Sequence, residues 1–132
     1  MIINLPYGRD KKILDIEESH LNAVLISKAH EYKPKHSESE LVKIAMKNPI
    51  QTPTLEELAK DKKNIVIISS DHTRPVPSHV TMPILLETIR GANSDAQITI
   101  LVATGAHRAS TDAELRNKYG DEIVDTLRIV IH

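Results

Sequence analysis

Between Asn64 and His132 three aliphatic runs alternate with two helical segments, and this alternation constrains the fold more than any other feature of the chain. Residues 65–70 (Ile65-Val66-Ile67-Ile68-Ser69-Ser70) are apolar on both alternating faces, the pattern of a strand in a covered parallel sheet. A helix follows, carrying Ile84, Leu85, Leu86 and Ile89. Thr81 is expected to cap it, Pro83 to lie in its first turn and Gly91 to end it. A second strand covers 97–103. Thr111 with Glu114 then forms a capping box opening a helix that Gly120 closes, and Leu127 to Ile131 is a third strand. The order β-α-β-α-β over 64–132 implies an α/β fold with a parallel, Rossmann-like sheet and right-handed crossovers.

Ahead of this core, residues 1–16 read as a β-hairpin. Ile2-Ile3-Asn4-Leu5 and Lys12-Ile13-Leu14-Asp15-Ile16 flank the turn-forming Tyr7-Gly8-Arg9-Asp10. Leu21 to Ile26 is apolar but too short to assign. A helix is expected over His36–Asn48, with Ser37 and Glu40 as capping box, Leu41, Ile44 and Ala45 on one face, and Asn48-Pro49 at its end. A shorter helix is expected from Pro53 to about Lys60, capped by Thr52. Lys60-Asp61-Lys62-Lys63 reads as its solvated end.

Composition narrows the function classes. A chain of 132 residues is most simply one domain; it buries about two-thirds of the surface its unfolded form exposes. That core is aliphatic, because Phe and Trp are absent and Tyr7, Tyr32 and Tyr119 are the only aromatics. Aromatic stacking on bases is therefore poorly supplied, and a net charge of −1 without a basic stripe argues against nucleic acid. The absence of cysteine excludes disulfides, thiolate metal sites and Cys nucleophiles. Pro6, Arg9, Asp10 and Lys11 interrupt any signal-peptide apolar region, and no run reaches membrane-spanning length. A cytoplasmic location, without membrane partners, is the expectation.

The chemistry gathers at strand ends. In parallel α/β sheets ligands bind beyond the carboxyl ends of the strands. Asp71, His72, Thr73 and Arg74 follow the first strand, Thr104, Gly105, His107 and Arg108 the second, and His132 the third. No glycine-rich phosphate loop is present. Arg74 has two readings: its planar fork binds a carboxylate or phosphate, or it pairs with Asp71 and stiffens the loop. His107 is a candidate proton-transfer group, against the plainer reading of a histidine bonded to backbone at a helix start. His72, flanked by Asp71 and Thr73, reads as structural. Ser69 and Ser70 are candidates for backbone bonding, while His20, His30, His36 and His79 are expected on the surface. A three-histidine metal site from His72, His107 and His132 is a minor alternative.

Ser70-Asp71-His72-Thr73-Arg74-Pro75 followed by Thr104-Gly105-Ala106-His107-Arg108 resembles the N-terminal domain of the nickel-dependent lactate racemase family, and Leu5-Pro6-Tyr7-Gly8 is similar to that family's start. The likeness runs over essentially all of 1–132. It implies an α/β domain, with the site at an interface with a second, C-terminal domain. It also implies a nickel-pincer nucleotide held on a lysine, and racemisation of a small 2-hydroxy acid by hydride transfer. One histidine takes the hydroxyl proton while hydride moves from Cα to the cofactor; a second histidine serves the opposite hand. By motif position the resemblance makes His107 one of these two. It makes Asp71, Arg74, Thr73 and Thr104 contacts of the cofactor or of the substrate carboxylate. It places no metal ligand, cofactor lysine or second catalytic histidine on this chain.

A three-stranded sheet ending on an apolar strand has an exposed edge open to self-association, so a fragment of a larger two-domain protein is expected, inactive in isolation. Two other classes stay open at this stage: a non-catalytic module holding an anion or nucleotide through Asp71, Arg74 and His107, and a divalent-metal hydrolase built on the three strand-end histidines.

Overall fold

Local turn chemistry decides the first element. Gly8 takes a positive φ of 61° in the two-residue connection Gly8-Arg9, so the flanking residues fold back as antiparallel strands. The computed structural model describes residues 1–132, and here β1 (Ile2–Tyr7) pairs with β2 (Asp10–Asp15) from Ile2 opposite Asp15 to Tyr7 opposite Asp10. The hairpin is longer toward the turn than the sequence suggested. The Met1 ammonium donates to the Ile16 carbonyl at 2.6 Å and closes its open end. Two single-turn helices, Glu18–His20 and Ala29–Glu31, follow, and the Leu21–Ile26 run forms neither helix nor strand. These elements belong to a compact unit of residues 1–35; residues 36–132 form a second.

In the second unit α1 (Glu38–Lys47) begins at the expected capping box: Ser37 Oγ accepts from Glu40 N, and Glu40 accepts from Ser37 N at 2.8 Å. Its inward side differs from the expected one. Val42 and Met46 are half-buried, whereas Leu41 and Ile44 are exposed. In α2 (Leu55–Ala59) the cap is Thr54 rather than Thr52, because only Thr54 has a glutamate, Glu57, three residues on to complete the box.

The sheet is β3 (Asn64–Ser70), β4 (Gln97–Ala103) and β5 (Arg128–Ile131), parallel and in that order, with Ile67 beside Ile100 and Ile100 beside Ile129. Between the first two strands runs α3 (Ser78–Ala92). It begins a turn earlier than expected, after Pro77, and Thr81 lies inside it with its hydroxyl on the Pro77 carbonyl. Pro83 therefore sits in the second turn, where its missing N–H leaves the His79 carbonyl without its helical donor. Gly91 does not end the helix; Asn93 does, its amide N–H donating to Ile89 O and its side chain to the carbonyls of Ala59 and Lys62. After β4 come α4 (Asp112–Tyr119), opened by the Thr111–Glu114 box, and α5 (Asp121–Thr126), absent from the sequence reading. Gly120, at φ 89°, is the joint between them.

Both crossovers lie on one face, as right-handed connections between strands laid in sequence order require. The core is therefore one-sided. Ile98, Ile100 and Val102 meet Met82, Leu86 and Ile89 of α3 together with Leu115, Tyr119 and Ile123. The opposite face is open: Val66 is 58% and Ile68 73% exposed. The expectation that both faces are covered fails for this reason. No helix is long and apolar enough to cross a membrane.

Candidate active site

Parallel pairing brings Ser70 beside Ala103, so the loops leaving β3 and β4 emerge side by side. On the first, Asp71 is 1% exposed although it carries a carboxylate. Burial of an anion demands donors. Thr73 supplies two to Oδ1, its amide at 3.0 Å and its hydroxyl at 2.7 Å. His107, from the second loop, supplies the third: its Nδ1 lies 2.6 Å from Oδ2. The Thr73 hydroxyl, foremost, and the His107 ring hold the Asp71 carboxyl well below the ordinary carboxylate range, against the opposing effect of burial.

An ionised carboxylate only accepts, so the proton of the Asp71–His107 bond sits on Nδ1 and the neutral ring keeps its lone pair on Nε2. The His107 side chain is 41% exposed while Asp71 is sealed. The pair thus has one buried anchoring end and one accessible basic end. Gly105 makes this possible. It adopts φ 59° in the turn closed by His107 N on Thr104 O at 3.1 Å.

The remaining expected residues divide. Thr73 joins the pair directly, with its hydroxyl 3.3 Å from His107 Nδ1. Thr104 is buried and its hydroxyl donates to the His132 carbonyl at 2.7 Å, tying the ends of β4 and β5 together. The Arg74–Asp71 pair considered above does not form: Asp71 is engaged by Thr73 and His107, and the Arg74 guanidinium makes no ion pair. Ser69 donates to the Ser70 carbonyl at 3.4 Å, the backbone bond expected of it, and Ser69 and Ser70 also receive side-chain donors, Tyr119 Oη and Lys118 Nζ respectively.

The three-histidine metal site is corrected by the same geometry. His72 Nδ1 bonds to Ser110 Oγ at 2.9 Å and its Nε2 lies 3.5 Å from Glu114, so the ring braces the loop. No three His, Asp or Glu side chains converge in an arrangement able to hold a metal ion.

Three functional neighbours escaped the sequence reading. Glu114 serves its cap and also takes a two-pronged bond from Arg108, at 2.6 and 2.8 Å; the Arg108 fork first, and then the Thr111 amide, hold its carboxyl well below the ordinary carboxylate range. Ser110 fixes His72. Lys118 is 8% exposed and donates to Ser70 Oγ at 3.3 Å. Its signal was its place three residues after Leu115, on the side of α4 where an apolar residue is expected.

With this geometry in hand, the comparisons are specific. A family model described as the lactate racemase N-terminal domain matches residues 7–132. The chain is similar to a lactate racemase of Thermoanaerobacterium thermosaccharolyticum, 48% identical over 130 residues covering 98% of this chain and 30% of that protein. It is also similar to a lactate racemase of Lactiplantibacillus plantarum, 52% identical over 130 residues covering 98% of this chain and 31% of that protein. The lactate racemase apoprotein structure from Thermoanaerobacterium thermosaccharolyticum superposes with a TM-score of 0.84 at 45% identity, over 100% of this chain and 30% of that one. The chain thus spans about 30% of the length of the relatives it matches.

Proposed function

Since the chain belongs to the family of lactate racemase N-terminal domains, we propose that it forms the N-terminal part of a lactate-type 2-hydroxy-acid racemase in which His107 transfers the hydroxyl proton. The observation that carries this reading is the Asp71–His107 pair: a buried carboxylate fixes Nδ1 of a half-exposed ring at the carboxyl end of the sheet.

In this reading Nε2 takes the hydroxyl proton from one enantiomer and gives it back when that enantiomer is re-formed, while a second base serves the opposite hand. Asp71 holds the ring in the reactive tautomer and stabilises the imidazolium formed. Thr73 positions Asp71 through two bonds to one oxygen. Arg74, free of internal partners, offers its fork to a carboxylate. The nickel-pincer nucleotide implied by the family resemblance supplies the hydride acceptor. The resemblance places no metal ligand, cofactor lysine or second base on this chain, and in this reading they belong to the C-terminal part of such an enzyme. The 132-residue chain alone is accordingly inactive.

The test is to produce the full-length protein with cofactor-synthesising enzymes, then measure its intact mass and the interconversion of D- and L-lactate. A nickel-containing adduct, with turnover that disappears in His107→Ala, supports the reading. A chain free of cofactor, in a host that loads a known racemase, overturns it.

A further inference from the structure

The loop after β4 carries His107, but the ring is bonded only to the loop after β3, through Asp71 at 2.6 Å and Thr73 at 3.3 Å. The pair therefore survives only while two separate loops keep their register. Burial alone does not keep it. Asp71 is sealed, but the His107 side chain is 41% exposed. A Cβ built on Gly105 would meet nothing within 4 Å, so the turn that carries the ring stands clear of packed neighbours. The near end of this turn is fixed by the buried Thr104, whose hydroxyl donates to the His132 carbonyl. Its far end leaves through Arg108, an exposed side chain gripped by Glu114 from the first turn of α4.

Glu114 also reaches the other loop. Its Oε1 accepts from Arg108 Nη2 at 2.6 Å and lies 3.5 Å from Nε2 of His72, whose Nδ1 faces Ser110 Oγ at 2.9 Å. Its Oε2 accepts from Arg108 Nη1 at 2.8 Å and from the Thr111 amide and hydroxyl of the helix cap, at 2.8 and 3.1 Å. His72 is the residue after Asp71, and Arg108 is the residue after His107. One carboxylate, tied to a helix end, thus holds the next residue along from each member of the pair. A lone exposed ion pair contributes little to stability. A two-pronged fork within a network fixes direction as well as charge. We propose that Glu114 is a positioning residue, which keeps the His107 ring on Asp71 by clamping the two loops through Arg108 and His72. Its effect on turnover rests on the racemase reading; its effect on the ring does not. A proton-transfer group displaced by about 1 Å can lose roughly 10²-fold in rate, so a modest slip between the loops is enough to matter.

Two substitutions separate the clamp from the cap. In Glu114→Gln the amide oxygen can keep the Thr111 cap, since glutamine also serves at this place in a capping box, while the amide nitrogen replaces the oxygen that faces Arg108 and His72. Thr111→Ala does the reverse. The ring nitrogens of His107 are read by NMR at about pH 9, where an ordinary histidine is neutral. The Nδ1–H tautomer alone is expected in the wild type and in Thr111→Ala, and a mixture of the two tautomers in Glu114→Gln. Arg108→Met breaks the same fork from an exposed side chain and leaves the cap intact, so it is expected to give the same mixture and decides the question should Glu114→Gln fold poorly. A role in stability alone would lower denaturation midpoints without moving the tautomer. In the full-length, cofactor-loaded protein, kcat for lactate interconversion is expected to fall at least roughly tenfold in Glu114→Gln, with KM changed by less than about twofold. The Nδ1–H form alone in both clamp variants, an equal mixture in Thr111→Ala, or wild-type kcat in Glu114→Gln would overturn the assignment. A wild-type enzyme without turnover would count against the racemase reading only, and the tautomer would still decide the clamp.

Discussion

The Nδ1 atom of His107 lies 2.6 Å from Oδ2 of Asp71, joining two residues 36 positions apart across the carboxyl ends of adjacent strands. This contact determines which ring nitrogen is basic. Asp71→Asn tests it most directly, since an amide can donate to Nδ1 and so move the ring proton to Nε2. Nitrogen NMR of the His107 ring is expected to show the Nδ1–H tautomer in the wild type and the other in the variant. In the full-length, cofactor-loaded protein, kcat for lactate interconversion is expected to fall by roughly 10²–10⁴-fold. An unchanged tautomer would remove Asp71 from the orienting role.

The same contacts give stability a defined pH dependence. The folded-state pKa values of Asp71 and Glu114 are both lowered, Asp71 chiefly by Thr73 and Glu114 chiefly by Arg108. A carboxylate so depressed stabilises the fold at all pH values above its unfolded pKa, about 4. Below that, the unfolded chain binds protons that the folded one refuses, and the stabilisation is lost as pH falls toward the depressed folded value. Chemical denaturation midpoints are expected to be level near neutrality and to decline from about pH 4 downward. The decline should be shallower in Asp71→Asn, which has one fewer such group. A decline of wild-type steepness in that variant would contradict the assignment.

Gly105 separates strain from sterics. It stands at φ 59°, yet an added Cβ would meet nothing within 4 Å. Gly105→Ala should therefore cost about 1–2 kcal/mol through backbone conformation alone. Denaturant titration measures this, and a crystal structure of the variant should show the 104–107 turn displaced together with the His107 ring. A variant of wild-type stability would mean that the turn relaxes freely, and that His107 is not held by it.

How much of this was legible in the sequence follows from how local each cause is. Capping boxes at Ser37/Glu40 and Thr111/Glu114 lie within four residues and were readable. Thr54 was missed because Thr52 stands before Pro53 and drew the cap two residues early. The α3 start was misplaced because Pro83 is compatible with a second turn as well as a first. The parallel sheet and the strand-end position of Asp71 and His107 followed from alternation, but their direct bond did not, since no local pattern reports a contact between loops 36 residues apart. The open sheet face was hidden too. Val66 and Ile68 are as apolar as Ile65 and Ile67, and only the placement of both crossovers on one side distinguishes them.

Thr111 provides a test of the local reasoning. Its hydroxyl accepts from Glu114 N, while its amide donates to Glu114 Oε2 at 2.8 Å. Thr111→Ala keeps the second bond and removes the first, together with the 3.1 Å donation of the Thr111 hydroxyl to Glu114 Oε2, so about 1 kcal/mol of stability should be lost. The Arg108–Glu114 fork and the nearby His72 contact should persist, leaving the His107 ring resonances unmoved. Loss of His107 signals would show that the cap, and not the Asp71 contact, organises the site.

The one-sided core makes opposite demands on two isoleucines of neighbouring strands. Ile100 of β4 is 0% exposed beneath α3 and α4, whereas Ile68 of β3 is 73% exposed on the bare face. Ile100→Ala leaves a cavity and should cost about 2–5 kcal/mol. Ile68→Ala removes atoms that are mostly in water already and should change stability by no more than about 0.5 kcal/mol in this chain. Parallel denaturation of the two variants compares them at equal chemistry. If Ile68→Ala proved as costly as Ile100→Ala, the second face of the sheet would have to be covered in solution, and the one-sided packing inferred from the two crossovers would be wrong.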